Sequence, residues 1–453
     1  MEQTLVAIVG LQFGDEGKGK IVDKIVTDAQ KNNNRTIVVR FQGGCNAGHT
    51  IYAKDKNNNL VEFITHAAPS GLTSNADIAI GPNVAFDTKQ FVKELNLAKD
   101  LFNYNANVFI SERTGVLLDY HKRLDAYNEN KSKNIGTTKS GIGPFYMDNA
   151  NRLTRLTFND YVSDNFSSRL MEILEMKKDD LNKIGETDLN KYHNELLQKH
   201  NPIREELKQY KSRLEYRLNE YLENGDNIII EGAQGTMLDI DMGSVPDVTA
   251  SHLLAPNAFP SLGLPRNRFK IYGIEKFYPT RVGNGLLPTL DEKFSEIIVK
   301  NSGEFGATTG RERRVGYPDL VMIQRSVMLN DCDGIYLTRA DNVQNHNLKI
   351  CTAYELKESS YSELPLDLSE ITNPIYTIKI NFKLWQGHED LSDAIKNDSL
   401  LKEKRMNYVN GGFESLPNEL KDYIKFHDEF VKCPIIGLSI GPGRDELVVK
   451  NEK

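Results

Sequence analysis

Short, unbroken runs of aliphatic and β-branched residues recur along the whole chain: Val6-Ala7-Ile8-Val9, Ile37-Val38-Val39, Asn107-Val108-Phe109-Ile110, Asn227-Ile228-Ile229-Ile230, Ile271-Tyr272-Gly273-Ile274, Gly334-Ile335-Tyr336-Leu337 and Ile435-Ile436-Gly437-Leu438. A strand with one face in water alternates apolar and polar side chains. These runs do not alternate, which is the pattern of strands covered on both faces. Helical patterns lie between them, so the chain reads as α/β, with one large, mostly parallel central sheet. The runs are scattered from residue 5 to residue 440, so the sheet draws on the entire chain. Residues 1–453 are expected to form a single domain. The stretch 166–224, rich in Lys, Glu and Leu with Pro202 as a strong interruption, reads as a helical subdomain of two or three helices with a solvated charged face. Asn-rich patches at 32–34 and 57–59 read as loop tips, and 355–375 as irregular connection.

Composition narrows the function. Hydrophobic residues make up 39% of the 453 and charged residues 26%, which suits a packed core. Lys and Arg number 56 against 63 Asp and Glu, a net charge of −7. That balance argues against coating nucleic acid or an anionic membrane, while leaving room for a small basic pocket. No stretch approaches the ~20 apolar residues of a spanning helix. The start, Met1-Glu2-Gln3-Thr4, lacks the basic region of a secretion signal, so a cytoplasmic protein is expected. Cys45, Cys332, Cys351 and Cys433 show no C-x-x-C spacing. Free, mostly buried thiols are expected rather than a disulfide or zinc scaffold.

The first strand runs into Gly10-Leu11-Gln12-Phe13-Gly14-Asp15-Glu16-Gly17-Lys18-Gly19-Lys20-Ile21. Glycines let such a loop curl its N–H groups around an anion, and the following helix adds its positive end, so the sheet is expected to carry a P-loop-like nucleotide-binding edge. Gly14 to Lys20 satisfies G-x-x-x-x-G-K, but Ile21 stands where a Walker loop needs a Ser or Thr hydroxyl for Mg²⁺. Another hard oxygen must then serve the metal, and Asp15 is the candidate. An Asp among phosphate-binding amides either faces Mg²⁺, moves a proton, or caps the helix. A second Gly-rich cluster, Arg40-Phe41-Gln42-Gly43-Gly44-Cys45-Asn46-Ala47-Gly48-His49-Thr50, directly follows the strand Ile37–Val39. Two such loops at the carboxyl ends of parallel strands lie where α/β folds bind ligands. His49, with only small neighbours, reads as functional rather than as core.

These two loops resemble adenylosuccinate synthetase. The resemblance continues through Gly136-Thr137-Thr138 with Gly141-Ile142-Gly143-Pro144, through Glu231 to Thr236 with Asp239-Ile240-Asp241 and Val248-Thr249, and through Gly303 to Arg311 with Arg313-Arg314. It closes with Leu337 to Asp341 and with Ser439 to Pro442. The blocks keep their order over nearly the whole chain. The resemblance implies GTP-dependent joining of IMP and L-aspartate into adenylosuccinate, with Mg²⁺, in the branch from IMP to AMP. IMP would be activated as a 6-phosphoryl intermediate.

By the same resemblance, Asp15 removes the N1 proton of IMP and His49 acts as acid at O6, with Lys18 and Gln234 also in the catalytic set. Mg²⁺ would sit on Asp15 and the Gly48 carbonyl. GTP would contact Gly14, Glu16, Gly17, Lys18, Gly19, Lys20, Gly48, His49, Thr50, Arg313, Arg339, Asp341, Ser439, Ile440 and Gly441. IMP would contact Asp15, Lys18, Asn46, Ala47, Gly48, His49, Thr138, Gln234, Thr249 and Arg311, and Arg152 given across a homodimer interface. Aspartate would sit on Ala307, Thr308, Thr309, Gly310, Arg311 and Arg313. Paired guanidinium forks suit a dicarboxylate, though an arginine cluster is also read as a surface salt-bridge patch. The Asp341 carboxylate can accept from guanine N1–H and its amine, which adenine does not offer.

Several positions depart from the family pattern. Phe13 stands for Trp, Lys139-Ser140 for Gly-Arg, Arg339 for Lys, Gly443 for Asp and Tyr317-Pro318 for a Trp-centred pair, while Glu312 lies between two arginines. The shifted charge at 139–140 keeps open a paralogue using another purine nucleotide or amino acid. Related enzymes that aminate a guanine nucleotide lack the catalytic Asp, which is present here. A non-catalytic GTP-binding protein is the remaining alternative.

Overall fold

The computed structural model describes residues 3–131, 136–306, 310–357, 360–361, 363–385 and 399–450. The strand Leu5–Gly10 pairs in parallel with Lys270–Lys276 on one side and with Asn227–Glu231 on the other. Asn227–Glu231 in turn pairs in parallel with Thr36–Gly44. Gly334–Thr338 and Ile435–Ser439 extend the sheet one way, and Asp77–Phe86 and Val108–Ser111 the other. Every apolar run named above lies in this sheet, whose pairs are parallel except that of Ile435–Ser439 with Leu447–Val449.

Burial explains the lack of alternation. Leu5, Ala7 and Val9 pack on one face with Ile37, Val39 and the helix Leu214–Glu223. Val6 and Ile8 pack on the other with Val38, Ile229 and the helix Lys18–Ala29. The strand Asp77–Phe86 escapes the apolar reading because Gly81-Pro82 looks like a turn. In the sheet those two residues face Phe41 alone, a bulge between Arg40↔Ile80 and Gln42↔Asn83 that absorbs the missing proline N–H.

Two expectations need correction. The stretch 166–224 holds four helices rather than two or three, Phe166–Met176, Lys178–Lys183, Leu189–Leu207 and Leu214–Glu223. Pro202 lies inside the third, whose buried Tyr192, Leu196, His200 and Leu207 keep it docked past the break. Lys211–Ser212 returns to the sheet edge beside Ile110–Ser111. The stretch 355–375 is only partly irregular: 363–367 is connection, but 355–356 and 371–375 belong to Leu348–Leu356 and Ile371–Ile380, which pair antiparallel in a small separate sheet. Its mixed polarity follows from a sheet half open to solvent. The Asn-rich tips are turns, with Asn33 and Asn58 at positive φ. All four cysteines are free. Among the described residues, no helix is long and apolar enough to cross a membrane.

One buried pair makes a pH-dependent contribution. His427 Nε2 lies 2.9 Å from Glu275 Oε2. Burial alone would lower the imidazole, but Glu275 and Asp428 bring it up to about 9. A histidine raised above its ordinary value stabilises the fold below that value and loses the contribution as pH rises through the folded-state pKa. The unfolding free-energy gap between the protein and His427→Gln should therefore shrink between about pH 6 and about pH 9.5 in urea titrations. A gap that stays constant would refute it.

Candidate active site

The strand order brings three loops together. Because Asn227–Glu231 lies between Leu5–Gly10 and Thr36–Gly44, the loops after all three strands open side by side at the carboxyl edge. There they line a cleft of about 710 Å³. Of the residues expected from sequence, Gly14, Asp15, Gly17, Lys18, Gly19, Lys20, Asn46, Ala47, Gly48, His49, Thr50, Thr138, Gln234, Thr249, Arg313, Arg339, Asp341, Ser439 and Gly441 line it.

The first loop earns its glycines. Gly14 and Gly17 both sit at φ 91°, and Gly17 opens the helix Lys18–Ala29. Asp15 lies between them at φ 61°, in the left-handed region that Asp tolerates. Ile21 is fully buried in the core, so it offers no metal ligand. Glu16, expected at GTP, does not turn its side chain into the cleft. Its carboxylate folds under the loop, accepting from Gly14 N (2.8 Å), Gln12 N (3.2 Å) and Lys18 Nζ (2.5 Å), and it is wholly buried. A buried carboxylate takes the nearest unpaired N–H groups, and those belong to its own loop.

Asp15 Oδ2 faces Arg313 Nη2 at 2.8 Å. The other edge of the guanidinium bonds Glu304 Oε2 at 2.5 Å. Burial alone would raise the Glu304 carboxyl, but Lys276, Arg339 and Arg313 hold it far below the usual carboxylate range. Burial brings the Lys276 ammonium down to about 8 against the pull of Glu304. Asp15 and Gly48 both line the cleft, and a carboxylate and a backbone carbonyl are hard oxygen donors of the kind Mg²⁺ prefers.

His49 is buried, with Nδ1 hydrogen-bonded to Glu231 Oε1. The same carboxylate accepts from Ser70 Oγ and Ser70 N, each at 2.8 Å. Burial lowers the imidazole, opposed by Glu231. Burial would raise Glu231, but His49 and Arg40 keep it low. Arg40 is fully buried and occupies the register position beside Glu231 on the next strand. His49 Nε2 is buried and has no hydrogen-bond partner among the described residues, so the imidazole is fixed through Nδ1 alone. Gln234 Nε2 donates to Asn46 Oδ1 at 2.9 Å, joining the second and third loops.

At the far end, Lys20 Nζ donates to Ser439 Oγ (2.7 Å), to the Gly441 carbonyl (2.6 Å) and to the Glu446 carbonyl (3.0 Å). Burial brings this ammonium down to about 7, with Glu446 and Asp341 pulling the other way. Arg405 Nη1 pairs with Glu446 Oε1 at 3.0 Å, and its Nη2 lies 3.9 Å from Asp341 Oδ2. Ile440, expected at GTP, has its side chain fully buried in the core and its N–H donating to the Glu446 carbonyl.

Other expected residues lie outside the cleft lining. Arg311 is exposed and donates to the Gly136 carbonyl at 3.3 Å, bridging two loops. Gly310 is exposed. Ala307, Thr308 and Thr309 lie outside the described residues. Arg152 sits on the exposed loop after the helix Ile142–Ala150, flanked by exposed Met147 and Leu153, and does not enter this chain's own cleft. Phe13 is braced by Arg281, whose Cζ is 4.5 Å from the ring centre.

Sequence reasoning missed Glu231, Glu304, Lys276, Arg40 and Arg405. Glu231 carried a usable signal, since it is a charge closing the apolar run Ile228-Ile229-Ile230, whereas Lys276 shares its strand with Lys270 and Glu275 and stood out less. Arg405 carried none, being one basic residue in a helix of mixed polarity.

Residues 7–448 match the family model of adenylosuccinate synthetase. Adenylosuccinate synthetase of Geotalea uraniireducens is 37% identical over 455 residues, covering 98% of each chain. That of Thermodesulfovibrio yellowstonii is 35% identical over 456 residues, again covering 98% of each. The fully ligated adenylosuccinate synthetase structure from Plasmodium falciparum is similar at a TM-score of 0.82 and 28% identity, covering 99% of this chain and 100% of that one. The cyanophage S-2L succinoaminodeoxyadenylate synthetase, bound to dGMP and dATP, shares the fold alone, at a TM-score of 0.61 and 15% identity.

Proposed function

Because the chain belongs to the adenylosuccinate synthetase family, the ligases that join IMP to L-aspartate at the expense of GTP, we propose that its cleft runs this reaction with Asp15 as base and His49 as acid. The observation that carries the reading is that Asp15 and His49 line one cleft, each held by a charged partner, Arg313 and Glu231.

The C6 oxygen of IMP is a poor leaving group and needs activation. Asp15 takes the N1 proton, charge builds on O6, and O6 attacks the γ-phosphorus of GTP to give 6-phosphoryl-IMP and GDP. His49 hydrogen-bonds where charge collects on O6 and the transferring group, and Glu231 stabilises the imidazolium form. The aspartate amine then adds at C6 and phosphate leaves. Phosphoryl transfer depends on positioning and charge neutralisation, which Lys18 supplies from the cleft wall. Asp15 and the Gly48 carbonyl would hold Mg²⁺, which when bound neutralises charge on the phosphates. Asn46, Gln234, Thr138 and Thr249 would bind IMP, and the loop ending at Arg313 would bind aspartate. Arg152 would serve the IMP phosphate of a second copy across a homodimer interface, with exposed Met147 and Leu153 beside it in the contact.

The purified protein with IMP, GTP, Mg²⁺ and aspartate should give the ultraviolet change of adenylosuccinate formation, absent when any one substrate is withheld. No product at saturating substrates would overturn the reading. Asp341 would select guanine through two charge-assisted hydrogen bonds. Asp341→Asn should raise the KM for GTP roughly tenfold to hundredfold, in line with losing bonds to a charged group, with the KM for IMP little changed. Steady-state kinetics with GTP varied decide it, and an unchanged KM would remove Asp341 from the guanine pocket.

A further inference from the structure

Glu304 is only 1% exposed, yet its carboxylate gathers donors from separate parts of the fold. It accepts from Lys276 Nζ (3.1 Å), Tyr278 Oη (2.7 Å) and Arg313 Nη1 (2.5 Å). Lys276 is fixed at the carboxyl end of a central strand. Its backbone N–H and carbonyl bond the Gln12 side chain at 3.0 and 2.8 Å, and its ammonium also donates to Thr280 Oγ1 at 2.7 Å. Tyr278 Oη accepts from Asn342 Nδ2 at 2.8 Å, next in sequence to Asp341. A buried carboxylate held this way cannot turn without leaving charges unpaired.

Glu304 also stands at the foot of the loop that ends in Arg313. Gly303, at φ 63°, closes the helix Glu292–Ser302. The Arg313 N–H then donates to the Glu304 carbonyl at 3.0 Å, and Phe305 bridges Glu312 one step further up. Glu304 and Arg313 are therefore joined twice, through backbone and through side chains. A guanidinium is planar, so fixing one edge aims the other. The edge left over is the one that meets Asp15 at 2.8 Å.

We propose that Glu304 is a positioning residue for the amino-acid substrate: anchored to the sheet by Lys276 and Tyr278, it locks one edge of Arg313 so that the other faces the cleft, ready for a substrate carboxylate. This rests on the reading that the loop ending at Arg313 receives aspartate. The incoming carboxylate competes with Asp15 for the same guanidinium edge, while Glu304 keeps the group from following either partner away. Binding then needs no reordering of the arginine.

Glu304→Gln keeps the shape and removes the charge. It should raise the KM for aspartate roughly tenfold or more, the scale of a lost charge-assisted bond, with the KM for IMP within about twofold. Tyr278→Phe removes one neutral donor, leaves both charges, and should give a smaller rise with the same selectivity, which keeps the test valid if Glu304→Gln folds poorly. A general loss of packing would instead move all three KM values together, and that result, or an unchanged aspartate KM in both variants, overturns the proposal. Arg311→Leu separates the two readings. If it raises the aspartate KM and the other two variants do not, the positioning role alone falls. If none of the three raises it, the assignment of the loop to aspartate falls as well.

Discussion

Asp15→Asn should lower turnover by about 10²–10⁴, the usual contribution of a positioned general base, while GTP still binds measurably. The substitution is close to isosteric. Asn tolerates the left-handed backbone that Asp15 adopts at φ 61°, so the loop need not move. An amide oxygen can still accept from Arg313 Nη2, now 2.8 Å from Oδ2, although the bond loses its charge. What the amide cannot do is take a proton from the purine ring. Stopped assays of adenylosuccinate formation report the turnover, and calorimetric titration with GTP reports the binding. Turnover within about tenfold of the parent would remove Asp15 as the base.

His49→Asn is expected to be as severe, again about 10²–10⁴ in kcat. The imidazole is held from one side only. Glu231 fixes Nδ1, itself anchored by Ser70, while Nε2 has no partner among the described residues and His49 lines the cleft. Asparagine is too short to span from Glu231 to a reacting oxygen. Glu231→Gln should fall between this variant and the parent. The glutamine oxygen can still orient the ring, but the charge that favours an imidazolium is gone. Kinetics of the two variants side by side test the order. A Glu231→Gln enzyme as slow as His49→Asn would mean the carboxylate does more than orient and stabilise the ring. A fully active His49→Asn would exclude His49 from the chemistry.

The part of the site that could be read from the chain was the part written in consecutive residues. Gly14 and Gly17 announce a backbone that only glycine takes easily, and Asp15 between them marks itself by being the wrong charge for a phosphate cradle. Ile21 rules out the ordinary metal ligand without any structure. His49 stood out because nothing large surrounded it. The direction of the Glu16 side chain was not legible: adjacent residues in one motif look alike until the turn directs one into the cleft and the other under the loop. Ile440 likewise turns its side chain into the core between Ser439 and Gly441, which line the cleft, since alternation along an extended segment sends neighbours to opposite sides.

The chain by itself determined the class of the fold and the chemistry at its phosphate loop, because unbroken apolar runs, glycine positions and loop-borne charges act over a few residues. Tertiary structure decided the partnerships: Arg313 with Asp15 and Glu304, His49 with Glu231, Lys20 with the loop after the strand Ile435–Ser439. Those pairs lie up to hundreds of positions apart in the chain. They meet only because the strand order inserts residues 227–231 between 5–10 and 36–44 and brings the strand ends to one edge. Periodicity along a chain carries no record of which strand lies beside which, and a buried charge selects its partner by distance in space.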